Sequence, residues 1–191
     1  SSGASLMSLG HGARIGTGSP RRAALLMFHR PDLDVVEIRG NVDTRIRKVD
    51  EGMYDAVVLA TAGLFRLGLE DRISEKLGVR EFPPAPGQGA LAVQMRDEDS
   101  ELHRVVKSLD EPDARATTGA ERAFLRGLGG GCTLPVGAHA WRESGQLKLL
   151  GFVGSNTGGL SLRAEVTGDD PEALGEKLAE QMLSDGAREL L

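Results

Sequence analysis

The sequence predicts an α/β unit with a parallel sheet, followed by a small α+β unit with an antiparallel sheet. Three observations carry this. In the first half, short valine- and isoleucine-rich runs alternate with helix-patterned segments, the order expected of a parallel sheet covered by helices. In the last third, apolar and polar residues alternate with period two, as in a sheet with one wet face. Between them, Phe82-Pro83-Pro84-Ala85-Pro86-Gly87 is too rich in proline to continue either kind of element.

Taken in order, Ala13 to Gly16 reads as the end of a strand. Ser19 is placed to cap a helix whose first residue is Pro20 and which runs to about Arg30. Asp34 to Ile38 reads as a second strand, and Val42, Ile46 and Val49 fall at the spacing of one helical face. Tyr54 to Ala60 predicts a buried strand, and Ala62 to Leu69 a short helix. After the proline break, Ala90 to Met95 predicts one more buried strand and Glu101 to Leu109 a helix. Glu111-Pro112 opens a helix that puts Ala120, Phe124 and Leu128 on one face and stops at Gly129-Gly130-Gly131. Leu147 and Leu149, then Leu160, Leu162, Ala164 and Val166, alternate with polar residues. Asp170-Pro171 caps a last helix carrying Leu174, Leu178 and Met182.

The 191 residues carry 23 basic and 28 acidic side chains, a net charge of −5. That balance argues against broad nucleic-acid or anionic-membrane binding, and 4% aromatic residues argue against base-stacking platforms. No apolar run approaches the ~18–20 residues a bilayer span needs. A single cysteine excludes an internal disulfide and a cysteine-rich zinc site. The histidines, at 11, 29, 103 and 139, show no metal spacing. Cytoplasmic placement and a monomer are the expectations. The chain opens Ser-Ser-Gly without methionine, so it is either processed or part of a longer protein.

Three clusters carry chemistry. In Gly16-Thr17-Gly18-Ser19-Pro20-Arg21-Arg22 a strand enters a glycine-rich loop and two arginines occupy the first turn of a helix. A helix start favours acids, so two cations there point to an anion opposite them. A solvated surface pair fits the spacing equally well. The second cluster is Arg39-Gly40-Asn41-Val42-Asp43-Thr44-Arg45-Ile46-Arg47. Asp43 and Arg47 can pair along the helix, Arg45 has no acid three or four residues away on either side, and Arg39 sits at a strand end, where ligands bind in open α/β sheets. Guanidinium groups take carboxylates in bidentate fashion, so a polycarboxylate fits as well as a phosphate. A charged helix face is the competing reading. The third cluster is Cys132, in a glycine-rich loop where a thiol is easy to reach. A lone cysteine is more often an inert buried residue.

Gly16 through Arg22, Arg39-Gly40-Asn41-Val42-Asp43-Thr44-Arg45, Ala85-Pro86-Gly87-Gln88-Gly89-Ala90, and Glu121-Arg122 through Gly130-Gly131-Cys132 occur in one order. In this the chain resembles the porphobilinogen deaminase (hydroxymethylbilane synthase) family over nearly its whole length. The resemblance implies α/β domains like those of periplasmic binding proteins and a C-terminal antiparallel sheet with helices on one side. It implies that Cys132 holds a dipyrromethane cofactor by a thioether. That cofactor primes the head-to-tail joining of four porphobilinogen molecules into the linear tetrapyrrole hydroxymethylbilane, with loss of ammonia. Each pyrrole bears an acetate and a propionate, and Arg21, Arg22, Arg39 and Arg45 match family positions that bind such carboxylates, with Thr17 and Ser19 as hydrogen-bond donors. Gln88 matches the hinge motif. Gly18 departs from the commoner serine.

The resemblance further implies that residues 1–84 form the central α/β domain. Residues 85–110 would be a hinge and a segment returning to another domain, and residues 111–191 the C-terminal α+β domain. The family's catalytic aspartate belongs to a domain that would precede Ser1. None of Asp43, Asp50 or Asp55 matches its motif, and the 191-residue chain by itself is expected to be inactive. The expected partners are porphobilinogen and the growing polypyrrole, with no nucleic acid and no membrane. A non-catalytic anion-binding module of periplasmic-binding-protein type is the alternative from another class.

Overall fold

The computed structural model describes residues 5–131, 134–155 and 159–191. The α/β unit contains β1 (Arg14–Gly16), α1 (Pro20–His29), β2 (Asp34–Val36), α2 (Val42–Asp50), β3 (Ala56–Val57) and α3 (Thr61–Arg66). The strands are parallel in the order β2-β1-β3, with Ile15 opposite both Val35 and Ala56. Both longer helices begin as their sequences require. The Ser19 side chain accepts from the Arg22 N–H and Pro20 occupies the first helical position; the Asn41 side chain accepts from the Thr44 N–H at 2.9 Å.

Three predicted elements are shorter than expected, the first being β2, which stops at Val36 instead of Ile38. β3 spans two residues of the predicted Tyr54–Ala60 run and is half-buried, because it lies at the sheet edge with a neighbour on one side only. Asp55 and Val58 on either side still donate to the Arg14 and Gly16 carbonyls of β1 at 2.8 and 3.2 Å, and Leu59 and Ala60 beyond them line a cavity. α3 stops at Arg66, and Gly68 follows in a left-handed conformation (φ +65).

The predicted buried strand over Ala90–Met95 is not formed. Residues 90–96 are irregular and largely exposed, with Leu91 88% accessible, and they pair with no strand among the described residues. α4 (Ser100–Lys107) follows, capped by Asp99, and buries none of its residues.

The C-terminal unit holds α5 (Pro112–Gly127), β4 (Val136–Glu143), β5 (Gln146–Gly154), β6 (Ser161–Gly168) and α6 (Pro171–Ser184). The strands form an antiparallel meander in chain order. Leu160 lies just outside β6 and is exposed. The helices pack on one sheet face, where Ala120, Phe124 and Leu128 of the α5 stripe meet Leu174, Leu178 and Met182 of α6 over Leu147, Leu149 and Val153. Gly151 is required at the centre of β5, since a Cβ there would lie 2.7 Å from the Phe124 ring and 2.9 Å from Leu178. Phe152 points the other way and packs against Ala24 and Leu25 of α1, with Phe28 edge-on to its ring. The two units therefore meet through α1 and the outer face of β5.

Candidate functional site

The site grows from the loop between β1 and α1. Thr17 is buried; its N–H donates to the Val36 carbonyl at 3.0 Å and its hydroxyl oxygen accepts from the Ser19 N–H at 3.2 Å. Ser19 Oγ accepts from the Arg22 N–H at 3.4 Å. Each hydroxyl thus accepts from the backbone and retains its own hydrogen to donate.

Arg21 and Arg22 are not the solvated pair their spacing allowed. Arg21 is 8% exposed; its Nη1 donates to the Pro83 carbonyl at 2.6 Å and its Nη2 to Gln88 Oε1 at 3.4 Å. Arg22 Nη1 donates to the Val58 carbonyl at 2.9 Å. These acceptors are neutral, and among the described residues neither arginine has an acidic partner. Burial, then the charge of Arg22, lowers the Arg21 pKa to about 10. Burial, then the charge of Arg45, lowers that of Arg22. Cations held out of water without a counter-ion are costly, and the cost falls if an anion arrives.

Arg45 joins this cluster through its field on Arg22, while its Nε donates to the Gly40 carbonyl at 2.8 Å. Arg39 is instead turned to solvent and paired with Glu37 at 2.7 Å. Arg47 pairs with Glu51, one turn C-terminal, at 3.6 Å, in place of the expected Asp43. A cavity of about 390 Å³ opens beside the cluster. Arg21, Arg22 and Gln88 line it together with apolar walls that include Leu26, Ile46 and Leu64.

Gln88 lies in the proline-rich connector, where its Oε1 accepts from the Ala85 N–H at 3.2 Å as well as from Arg21. Cys132 lies outside the described residues. The approach to it is described: α5 ends at Gly127, and Gly129 and Gly130 adopt positive φ.

One residue was read in the sequence only as part of a motif and given no role. Glu121 is buried on α5, and its two oxygens accept from the Gly87 N–H at 2.6 Å and the Ala140 N–H at 2.8 Å. Burial raises its pKa, against the lowering effect of those two bonds. The available signal was an acid set among Ala120, Ala123 and Phe124 on the apolar stripe. His139 lies on β4. Among the described residues no group of acids, histidines or cysteines could hold a metal, and no helix is long and apolar enough to cross a membrane.

Two family models match this chain. The porphobilinogen deaminase, dipyromethane cofactor binding domain covers residues 1–104, and the porphobilinogen deaminase, C-terminal domain covers 116–184. A porphobilinogen deaminase of Roseiflexus castenholzii is 51% identical over 191 residues, which is 99% of this chain and 63% of that protein. One from Xanthomonas axonopodis pv. citri is 49% identical over 98% of this chain and 62% of its own length. One from Desulforudis audaxviator is 48% identical over 99% and 62%. The chain therefore spans less than two thirds of the length of the curated relatives it matches.

Proposed function

Because the chain belongs to the porphobilinogen deaminase family, we propose that it is the cofactor-carrying part of a hydroxymethylbilane synthase. That enzyme is a transferase of tetrapyrrole and heme biosynthesis, condensing four porphobilinogen molecules with release of ammonia. The observation that carries the reading is that the buried Arg21 and half-buried Arg22 guanidiniums lack any acidic partner among the described residues. A dipyrromethane bears four carboxylates, and such a donor set fits it. When bound, that group supplies the pyrrole carbon from which the polypyrrole grows.

The chain's own residues then have separate tasks. Cys132 is the attachment point in the C-terminal unit. Arg21, Arg22 and Arg45 hold acetate and propionate groups, with the Thr17 and Ser19 hydroxyls donating beside them. Arg39 joins them by exchanging its solvent-exposed pairing with Glu37 for a ligand carboxylate. Apolar walls at the cavity keep water from screening these contacts, which strengthens each of them. Residues 1–84 form a periplasmic-binding-protein-like domain, 85–110 a hinge and crossing segment, and 111–191 the cofactor-bearing domain. The protein acts as a cytoplasmic monomer.

The test is peptide mapping around Cys132 on the full-length parent enzyme, as purified and after incubation with porphobilinogen. The reading predicts a mass excess of two linked pyrrole units on the Cys132 peptide and colour with an Ehrlich-type reagent. An unmodified Cys132 under both conditions overturns it and favours a non-catalytic anion-binding module.

A further inference from the structure

The connector between the two units is held from both sides by buried charges of opposite sign. On one side Arg21 takes the Pro83 carbonyl and the Gln88 side chain. On the other, Glu121 takes the Gly87 N–H and, with its second oxygen, the Ala140 N–H of β4. Gly87 adopts φ +77, which turns its N–H toward α5 at little steric cost. Pro84 adds a third tie, its carbonyl accepting from the Ala138 N–H at 2.9 Å. Glu121 sits on the helix that runs on into the glycine loop before Cys132.

A carboxylate could satisfy two amides almost anywhere. This one satisfies an amide of the connector and an amide of the sheet at once, so it fixes their separation. The chain of contacts is unbroken: Ala140 to Glu121, Glu121 to Gly87, the adjoining Gln88 to Arg21, and Arg21 to Pro83. We infer that Glu121 is a positioning residue: it sets the place of the connector, and through it of the Arg21 guanidinium, relative to α5 and the loop that α5 feeds. Arg21 is then both a ligand group and a strut, and Glu121 decides where the strut stands. This rests on the proposed function only for its consequence at Cys132; the mechanical part stands on the hydrogen bonds alone.

The experiment compares the wild-type full-length parent enzyme with its Glu121→Gln variant by three readouts. Glutamine is close in shape and keeps one acceptor, so the fold is retained; Glu121→Ala is the harsher companion. Hydrogen exchange at the Gly87 amide should accelerate about tenfold or more, as loss of one charge-assisted bond allows. Phenylglyoxal modification of Arg21, read by peptide mass, should rise about fivefold or more as the connector loosens. Exchange in α6 and at Leu149 should hardly move. Pyrrole uptake at Cys132 should slow about tenfold while alkylation of the thiol by iodoacetamide stays unchanged, the mark of misplacement and not of an altered nucleophile.

Unchanged Gly87 exchange and Arg21 reactivity in both variants would overturn the inference. So would acceleration spread evenly over β4–β6 and α6, which would make Glu121 an ordinary stability residue. If the wild type itself takes up no pyrrole, the functional reading fails, and the exchange and arginine readouts still decide this one.

Discussion

The two units of this protein use their interiors differently. The C-terminal unit builds one continuous apolar cluster from Ala120 to Ala187, with Phe124, Leu147, Leu149, Leu178 and Met182 essentially inaccessible. Its buried charge, Glu121, has both oxygens satisfied by backbone amides. The α/β unit has smaller clusters, around Ile15, Leu26 and Leu33 and around Ala24 and Leu25, beside a cavity of about 390 Å³. Its buried Arg21 and half-buried Arg22 are held by neutral acceptors. One unit is organised for cohesion, and the other keeps space and uncompensated charge where a ligand fits.

The harshest way to break this contrast is Phe124→Ala. The ring is fully buried against Gly151, so its removal should destabilise the C-terminal unit by about 3–5 kcal/mol. Leu64→Ala, at the cavity wall of the α/β unit, should cost less, about 2 kcal/mol, because part of that space is already empty. Denaturant unfolding of the two variants measures both; equal losses would remove the distinction between the units.

Acid sharpens the same contrast. The hydrogen bond from Arg30 holds the Asp32 carboxyl down at about 2, from an ordinary 3.8. Its contribution is therefore present above the unfolded value and is lost as pH falls through about 2. Glu121 is shifted upward by burial, so its contribution is complete below the unfolded value and is lost as pH rises through the higher folded one. Across the carboxylate range the two groups thus bend the stability curve in opposite senses. Stability measured against pH should lose part of its acid limb in Asp32→Asn. In Glu121→Gln it should lose the part that is gained on acidification. Curves that move in the same sense would contradict the assignment.

The smallest effect belongs to Arg39→Ala. Its ion pair with Glu37 is exposed, so stability should change by less than about 1 kcal/mol. Any larger loss, read by thermal unfolding, would show that Arg39 supports the fold.

Much of this was legible in the residues. Proline and glycine punctuation placed α1, α5 and α6, since Ser19-Pro20, Glu111-Pro112 and Asp170-Pro171 all open helices as caps should. Period-two alternation found β5 and β6, while β4, buried over Val136–Ala138 without alternating, was not marked by it. What failed was what depends on neighbours. Ala90–Met95 has a strand's composition, but a strand exists only against an edge, and the residues remain exposed. Asp43 and Glu51 both stand one turn from Arg47, and spacing does not choose between them. Nor does a motif reveal that Arg21 is buried against Pro83, a contact between residues 62 positions apart. Glu121 was quoted within a motif but given no role, because the helix face was read by its apolar members alone.

The central claim is that the α/β unit keeps its arginines for carboxylates. Titration calorimetry with porphobilinogen tests it most directly, on the wild type, Arg21→Met and Arg22→Met, at low and high salt. The account predicts saturable binding that weakens with salt and falls about tenfold or more in each variant, with the variants still folded. Binding that is indifferent to both substitutions and to salt would contradict it.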